Sequence, residues 1–264
     1  MEEIATLCND VSLAVADSIK DLVGTKKGGE VVGMGADGTP SKFIDIVAED
    51  AALEILASSG IDMKIVTEEK GHLTFGDAPE FTVVLDPLDG TYNATRDVPF
   101  YSVSIAIGDA DLADIRYAEV YNLANGTDFT AAKNKGAFYN NKKIQVSQAA
   151  KLDEFTVASY GYKDRSDVFN RLGRHVRRLR SFGSAALELS FVASGRLDAF
   201  IDLRSRLRIM DVAAGILIVN EAGGIVTDGH GQEPSGELNV TNRVDIVASN
   251  GILHPVLEKT AAAL

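Results

Sequence analysis

The chain has 264 residues, 45% of them hydrophobic and 24% charged, with a formal net charge of −12. That is enough apolar material for a substantial core, in one large domain or two modest ones. The acidic balance argues against nucleic acid or an anionic membrane as the main partner.

The single cysteine, Cys8, excludes an internal disulfide and fits a reducing compartment. No run of 18 apolar residues occurs, and the opening MEEIATLCNDV lacks a basic stretch followed by an apolar one, so a cytoplasmic protein is expected. Apolar residues at Ile4, Leu7, Cys8, Val11, Val15, Ile19 and Leu22 predict a helix over 2–23, stopped by Gly24. A glycine-rich link follows, in which Gly33, Gly35 and Gly38 spell GxGxxG. Only Val31 and Val32 precede it as strand, and Asp37 would oppose a pyrophosphate, so a flexible loop flanking the active site is the better reading. Thr39-Pro40-Ser41 is read as the entry to a helix reaching Ser58. On it Asp45 and Glu49 share one face, which spacing alone reads as a solvated acidic stripe.

A strand over 61–67 ends in Glu68-Glu69-Lys70-Gly71, and a second, Phe81 to Leu85, runs into Asp86-Pro87-Leu88-Asp89-Gly90-Thr91. Pro87 is expected to end the ladder. Asp86 and Asp89 then share one tight turn, with Gly90 and Thr91 offering close backbone approach, an N–H and a hydroxyl. Two carboxylates about 5 Å apart repel by roughly 3 kcal/mol at an effective dielectric of 20, so the turn calls for a divalent cation. It also reconciles an acidic chain with an anionic substrate, because metal ions reverse the local field.

Strands over 101–109, 112–121, 126–132 and 136–147 read as an antiparallel meander. A composition shift near residue 150 divides the chain into 1–150 and 151–264. The second part opens with a strand over 155–160. Asp164 then caps a basic helix containing Arg165, Arg171, Arg174, His175, Arg177 and Arg178. That helix reads as a solvated face or subunit contact, with an anion-binding edge as the competing account. Arg180 leads to Gly183-Ser184 and a helix over 184–194, then a strand over 196–202 and a helix over 210–221. Asp211 lies in the first turn of the latter, where capping alone explains an acid. Strands over 225–227 and 244–248 and a helix after Gly251 complete the chain.

Three motifs, Glu68-Glu69, Asp86-Pro87-Leu88-Asp89-Gly90-Thr91 and Asp211-Val212-Ala213-Ala214-Gly215 with Glu221-Ala222-Gly223-Gly224, resemble the inositol monophosphatase family in kind, order and spacing. The segment GADGTPSKFID further resembles its archaeal branch, whose members often hydrolyse inositol phosphates and fructose 1,6-bisphosphate. The resemblance implies an α+β fold, a layered αβαβα sandwich with metals at the junction of its two halves, and a homodimer. It implies Mg²⁺, with Mn²⁺ as substitute, in two or three sites: Glu68, Asp86 and the Leu88 carbonyl at one, Asp86, Asp89 and Asp211 at a second, a weaker third near Glu68. Glu68, Thr91 and Asp45 would serve an attacking water made acidic by the metal, in line and without a phosphoenzyme. Asp89, Gly90, Thr91, Gly183, Ser184, Arg165, Arg180, Asp202 and Arg204 are the candidate substrate contacts. The family commonly has Trp where this chain has Met210.

The expected substrate is a small phosphorylated polyol or sugar, with a nucleotide 3′-phosphate as alternative. Two rival readings are an aspartyl-phosphate phosphatase, whose DxDGT spacing is one residue short of DxxDGT here, and a non-catalytic metal sensor.

Overall fold

A computed structural model describes residues 2–161 and 166–262. Helix α1 (Glu2–Ile19) buries Leu7, Cys8, Val11, Val15 and Ile19, the stripe the spacing predicts, and ends four residues earlier than expected. The glycine-rich link is an ordered hairpin, not a loose loop: β1 (Val31–Met34) pairs antiparallel with β2 (Pro40–Lys42). Pro40 therefore opens a strand, and α2 begins only at Phe43 and runs to Ser58. The acidic stripe is no solvated face either, since Asp45 and Glu49 are both buried. Spacing identifies a shared face but not what covers it.

Eight strands form one sheet in the order β10-β9-β8-β7-β6-β5-β3-β4. They are β3 (Met63–Thr67), β4 (Gly71–Phe75), β5 (Thr82–Asp89), β6 (Ser102–Gly108), β7 (Tyr117–Asn122), β8 (Thr127–Ala132), β9 (Gly136–Tyr139) and β10 (Lys142–Lys143). All neighbours are antiparallel except β3 and β5. The β4 strand, which follows the Glu68-Glu69 turn directly, was not anticipated. Nor does Pro87 end its strand. Asp86 pairs with Ser104 and Asp89 with Ser102, so Pro87 and Leu88 together face Val103 in a bulge that absorbs the missing donor. A one-turn helix, α3 (Thr91–Ala94), follows.

The second sheet has the order β12-β11-β13-β15-β14. Its strands are β11 (Thr156–Ser159), β12 (Arg178–Arg180), β13 (Ala199–Arg208), β14 (Ile225–Thr227) and β15 (Arg243–Ser249). Between them lie α4 (Ser166–Gly173), α5 (Ala185–Ala193) and α6 (Ile209–Glu221), with α7 (His254–Ala262) at the end. The basic helix is thus shorter than expected, and Arg178 belongs to an edge strand. Arg165 lies outside the described residues.

Three apolar layers hold these elements together. Val11 and Val15 of α1 and Ile44 and Ala48 of α2 pack on Ile65, Val83, Leu85 and Ile105 of the large sheet. The opposite face of that sheet, with Val84 and Val120, packs on α5 and α6, which also meet Phe200 and Ile246 of the small sheet. Val168, Leu172 and Leu257 of α4 and α7 cover the far side of the small sheet. The order is therefore αβαβα. The central pair is tight: a Cβ at Gly215 of α6 would come within 2.5 Å of the Leu189 side chain.

Candidate metal and substrate site

The register places the first acids. Because β3 and β5 are parallel and Thr67 pairs with Leu85, the next residues, Glu68 and Asp86, leave the same end of the sheet side by side. The bulge then returns Asp89 to that end, and α6 delivers Asp211 from its first turn. Carboxylate oxygens of Asp86, Asp89 and Asp211 lie within 4.8 Å of one another, and all three residues are buried.

Each acid is held. Asp86 accepts the Leu88 N–H at 3.0 Å. Asp89 accepts the Ser184 hydroxyl at 2.7 Å and the Ala186 N–H at 2.8 Å, both at the start of α5. Glu49, buried in α2, accepts the Thr67 hydroxyl at 2.6 Å and the N–H groups of Glu69 and Lys70 at 3.1 and 3.2 Å, which fixes the turn carrying Glu68. Thr91 donates to the Leu88 carbonyl at 3.1 Å. Asp45 accepts the Lys42 N–H at 3.0 Å, while its Oδ1 is buried without a hydrogen-bond partner.

Electrostatics shows what this assembly costs. Burial pushes Glu68 up to about 8, with Arg208 opposing and Asp211 adding to the rise. Burial and then Asp211 push Asp89 up to about 7, and Asp86 is raised well above the usual carboxylate range by burial and Glu68. Asp45 is raised by burial, against the Lys42 N–H, which favours its charged form.

Arg208, which no sequence argument singled out, lies among these acids. It bonds Asp211 at 2.7 Å, Asp37 at 3.0 Å, Asp86 at 3.4 Å and, closely, Glu68. A guanidinium at this position stands in for a cation, and the donor set is carboxylate oxygen with the Leu88 carbonyl nearby. Histidine and cysteine, the ligands zinc prefers, are missing from the set, so the residues present fit Mg²⁺ or Mn²⁺.

A cleft of about 400 Å³ opens beside the acids, lined by Asp89, Tyr92, Gly183, Arg204, Arg206 and Arg208 among others. Gly90 (φ +97°) has to be glycine, because a Cβ there would meet the Phe100 carbonyl at 3.0 Å. Gly183 (φ +95°) faces Asn93, which donates to the Phe100 and Phe182 carbonyls at 2.8 and 2.7 Å and joins the two halves of the cleft. Arg204 is paired with buried Asp202 at 2.7 Å and stacks over Tyr160 at 4.9 Å. Tyr160 donates to Glu188, which burial pushes up to about 8.

Arg180 is exposed on β12, bonds the neighbouring Leu179 carbonyl and does not line the cleft. Arg171 is committed elsewhere, to Asp167 and to the Thr260 and Ala261 carbonyls of α7. Tyr92 also lines a second cleft of about 560 Å³ with Lys26, Lys42 and Arg96.

These features agree with the comparisons to known proteins. The inositol monophosphatase family model matches residues 1–264. A fructose-1,6-bisphosphatase/inositol-1-monophosphatase of Methanothermobacter thermautotrophicus is 44% identical over 93% of this chain and 92% of its own. A bifunctional NADP phosphatase/NAD kinase of Methanococcus maripaludis is 38% identical over 94% of this chain, which spans 47% of that longer protein. The crystal structure of an inositol monophosphatase–fructose 1,6-bisphosphatase matches with a TM-score of 0.86 and 30% identity, over 96% of this chain and 97% of that one.

Fold and site together define a metal-dependent phosphoric monoester hydrolase. The chain belongs to the inositol monophosphatase family. No helix among the described residues is long and apolar enough to cross a membrane.

Proposed function

We propose that this protein hydrolyses phosphate monoesters of inositol and fructose 1,6-bisphosphate, with two or three Mg²⁺ ions held by Glu68, Asp86, Asp89, Asp211 and the Leu88 carbonyl. The observation that carries this reading is the convergence of Asp86, Asp89 and Asp211 within 4.8 Å beside an arginine-lined cleft. When bound, the divalent ions would neutralise the phosphoryl oxygens, acidify the attacking water and stabilise the leaving alkoxide.

The chain's own groups do the rest. Glu68 and the Thr91 hydroxyl orient the water, and Asp45 Oδ1, buried without a partner, receives its proton by way of Thr91. Gly90 and the Thr91 N–H leave room for the phosphoryl group against the backbone. Arg204 and Arg206 face the remainder of the substrate across the cleft. The 1–150 half supplies most of the metal-binding acids and the 151–264 half supplies Asp211 and the cleft's arginines. We further propose a cytoplasmic homodimer.

A second reading, a nucleotide carrying its target phosphate on the ribose, is favoured by the basic cleft beyond Tyr92 and by the NADP phosphatase relative. Steady-state rates on a panel of phosphate esters with Mg²⁺ test both. Hydrolysis abolished by EDTA, with oxygen-18 from water entering phosphate and not the protein, is expected. Activity insensitive to chelator, or label retained on an aspartate, would reject the mechanism.

A further inference from the structure

The contacts of Arg208 have a consequence for how the metal enters. Its guanidinium, 17% exposed, joins four acids from four elements: Asp37 in the β1–β2 turn, Glu68 after β3, Asp86 in β5 and Asp211 in α6. Two of its donors, Nε and Nη2, reach the same oxygen, Asp211 Oδ1, at 2.9 and 2.7 Å. A carboxylate oxygen has two lone pairs, so an oxygen accepting both of these N–H groups has none left for a metal. The Nη2 atom is also 3.4 Å from Asp86 Oδ2. Arg208 and a divalent ion therefore compete for the same oxygens.

Asp37 differs from the other three. Its Oδ1 accepts the Thr39 N–H and hydroxyl, each at 2.8 Å, while its Oδ2 takes the guanidinium at 3.0 Å. It stands outside the proposed metal-binding set, and Arg208 already lines the substrate cleft. A guanidinium leaving Asp86 and Asp211 thus keeps one anchored anion and a place at the cleft wall.

We propose that Arg208 is a positioning residue: it holds the metal-binding acids together before the metal arrives, gives up Asp86 and Asp211 as the metal enters, and lowers metal affinity by that competition. This rests on the reading of the cluster as a metal site. Arg208→Gln removes the charge and keeps a polar side chain of similar reach.

Mn²⁺ binding by calorimetry, with thermal melts in EDTA and in saturating Mn²⁺, separates the outcomes. Mn²⁺ affinity is expected to rise about tenfold or more, because the ion no longer has a unit positive charge beside it. The melting temperature in EDTA should fall by about 5 °C or more, and saturating Mn²⁺ should close most of that gap. Unchanged or weaker Mn²⁺ binding in the variant overturns the proposal while leaving the phosphatase reading intact. No Mn²⁺ binding by the wild-type protein overturns both.

If Arg208→Gln does not fold, Arg208→Lys is read instead. It keeps the charge without the fork, so Mn²⁺ affinity should lie above that of wild type. A Mn²⁺-bound crystal structure with Arg208 still bonded to Asp86 and Asp211 Oδ1 would also refute it.

Discussion

Buried carboxylates occur here in two settings with opposite solutions. Glu119, on β7 beneath α1, is 3% exposed and has no other acid among its hydrogen-bond partners: Ser12 donates to it at 2.7 Å and Tyr117 at 3.5 Å. Burial raises it to about 7, so a single proton neutralises it and two hydroxyls satisfy it. At the sheet junction, Asp86, Asp89, Asp211 and Glu68 crowd one region. Glu68, Asp86 and Asp89 are raised by burial and by one another's and Asp211's charge, and Asp211 is held by Arg208. A lone buried acid can be a matter of stability, whereas several with shared oxygens need a cation.

The harshest test of that contrast removes one member of the crowd. Asp89→Asn keeps size and hydrogen bonding but withdraws a charge, and turnover with Mg²⁺ should fall by about 10³-fold or more. Circular dichroism should be unchanged. Near-normal turnover would mean that Asp89 does not hold metal.

The lone acid gives the next largest effect, read in stability. The folded pKa of Glu119, about 7, lies above its ordinary 4.5, so the native state keeps a proton that the unfolded chain has already lost. Its stabilising contribution is complete below pH 4.5 and is lost as pH rises through 7, a fall of about 3 kcal/mol. Glu119→Gln should lack that component of the pH dependence and retain phosphatase activity. Melts of both proteins from pH 4 to 8 that run parallel would contradict this.

A milder change leaves the acid crowd intact and loosens its support. Ser184 donates to Asp89 and accepts the Leu187 N–H at 3.4 Å as the cap of α5. Ser184→Ala should weaken metal binding about tenfold through a less constrained Asp89 and cost about 1 kcal/mol as a lost cap. Metal titration and denaturant unfolding read the two effects separately. A stability loss without a change in metal affinity would show that Ser184 serves the helix alone.

The acids that converge were legible because their motifs carry turn chemistry. Asp86 and Asp89 are joined by Pro87 and followed by Gly90, and Asp211 opens a strongly apolar helix. What sequence could not supply was the register and the cover. The bulge at Pro87 depends on how β6 pairs, a partner 13 or more residues away. Asp45 and Glu49 share a face whether that face meets water or, as here, is buried, with Glu49 against the turn after β3. Arg208 leaves no local signal, since an arginine before a helix is ordinary until Asp37 and Glu68 are brought to it from 171 and 140 residues away. The run of arginines shows the converse. A cluster counted along the chain was divided among α4, a turn and β12, and Arg171 was spent on tying α4 to α7.

The smallest expected effect carries the contrast over to the cations. Lys26, Lys42 and Arg96 gather in a chain of net charge −12, and Lys42 and Arg96 lie 5.9 and 5.4 Å from the Tyr92 ring that both clefts share. Lys42 also gives its N–H to Asp45, so altering it would confuse subsite with catalysis. Lys26 and Arg96 are exposed and make no such bond to the acids. Exposed charges each contribute at most about 1 kcal/mol, so Lys26→Ala with Arg96→Ala should lower kcat/KM for a bisphosphate relative to a monophosphate by about fivefold. The wild-type preference should shrink towards the variant's as salt rises, because screening acts on exposed charges first. A ratio insensitive to both salt and substitution would confine recognition to the arginines beside the acids.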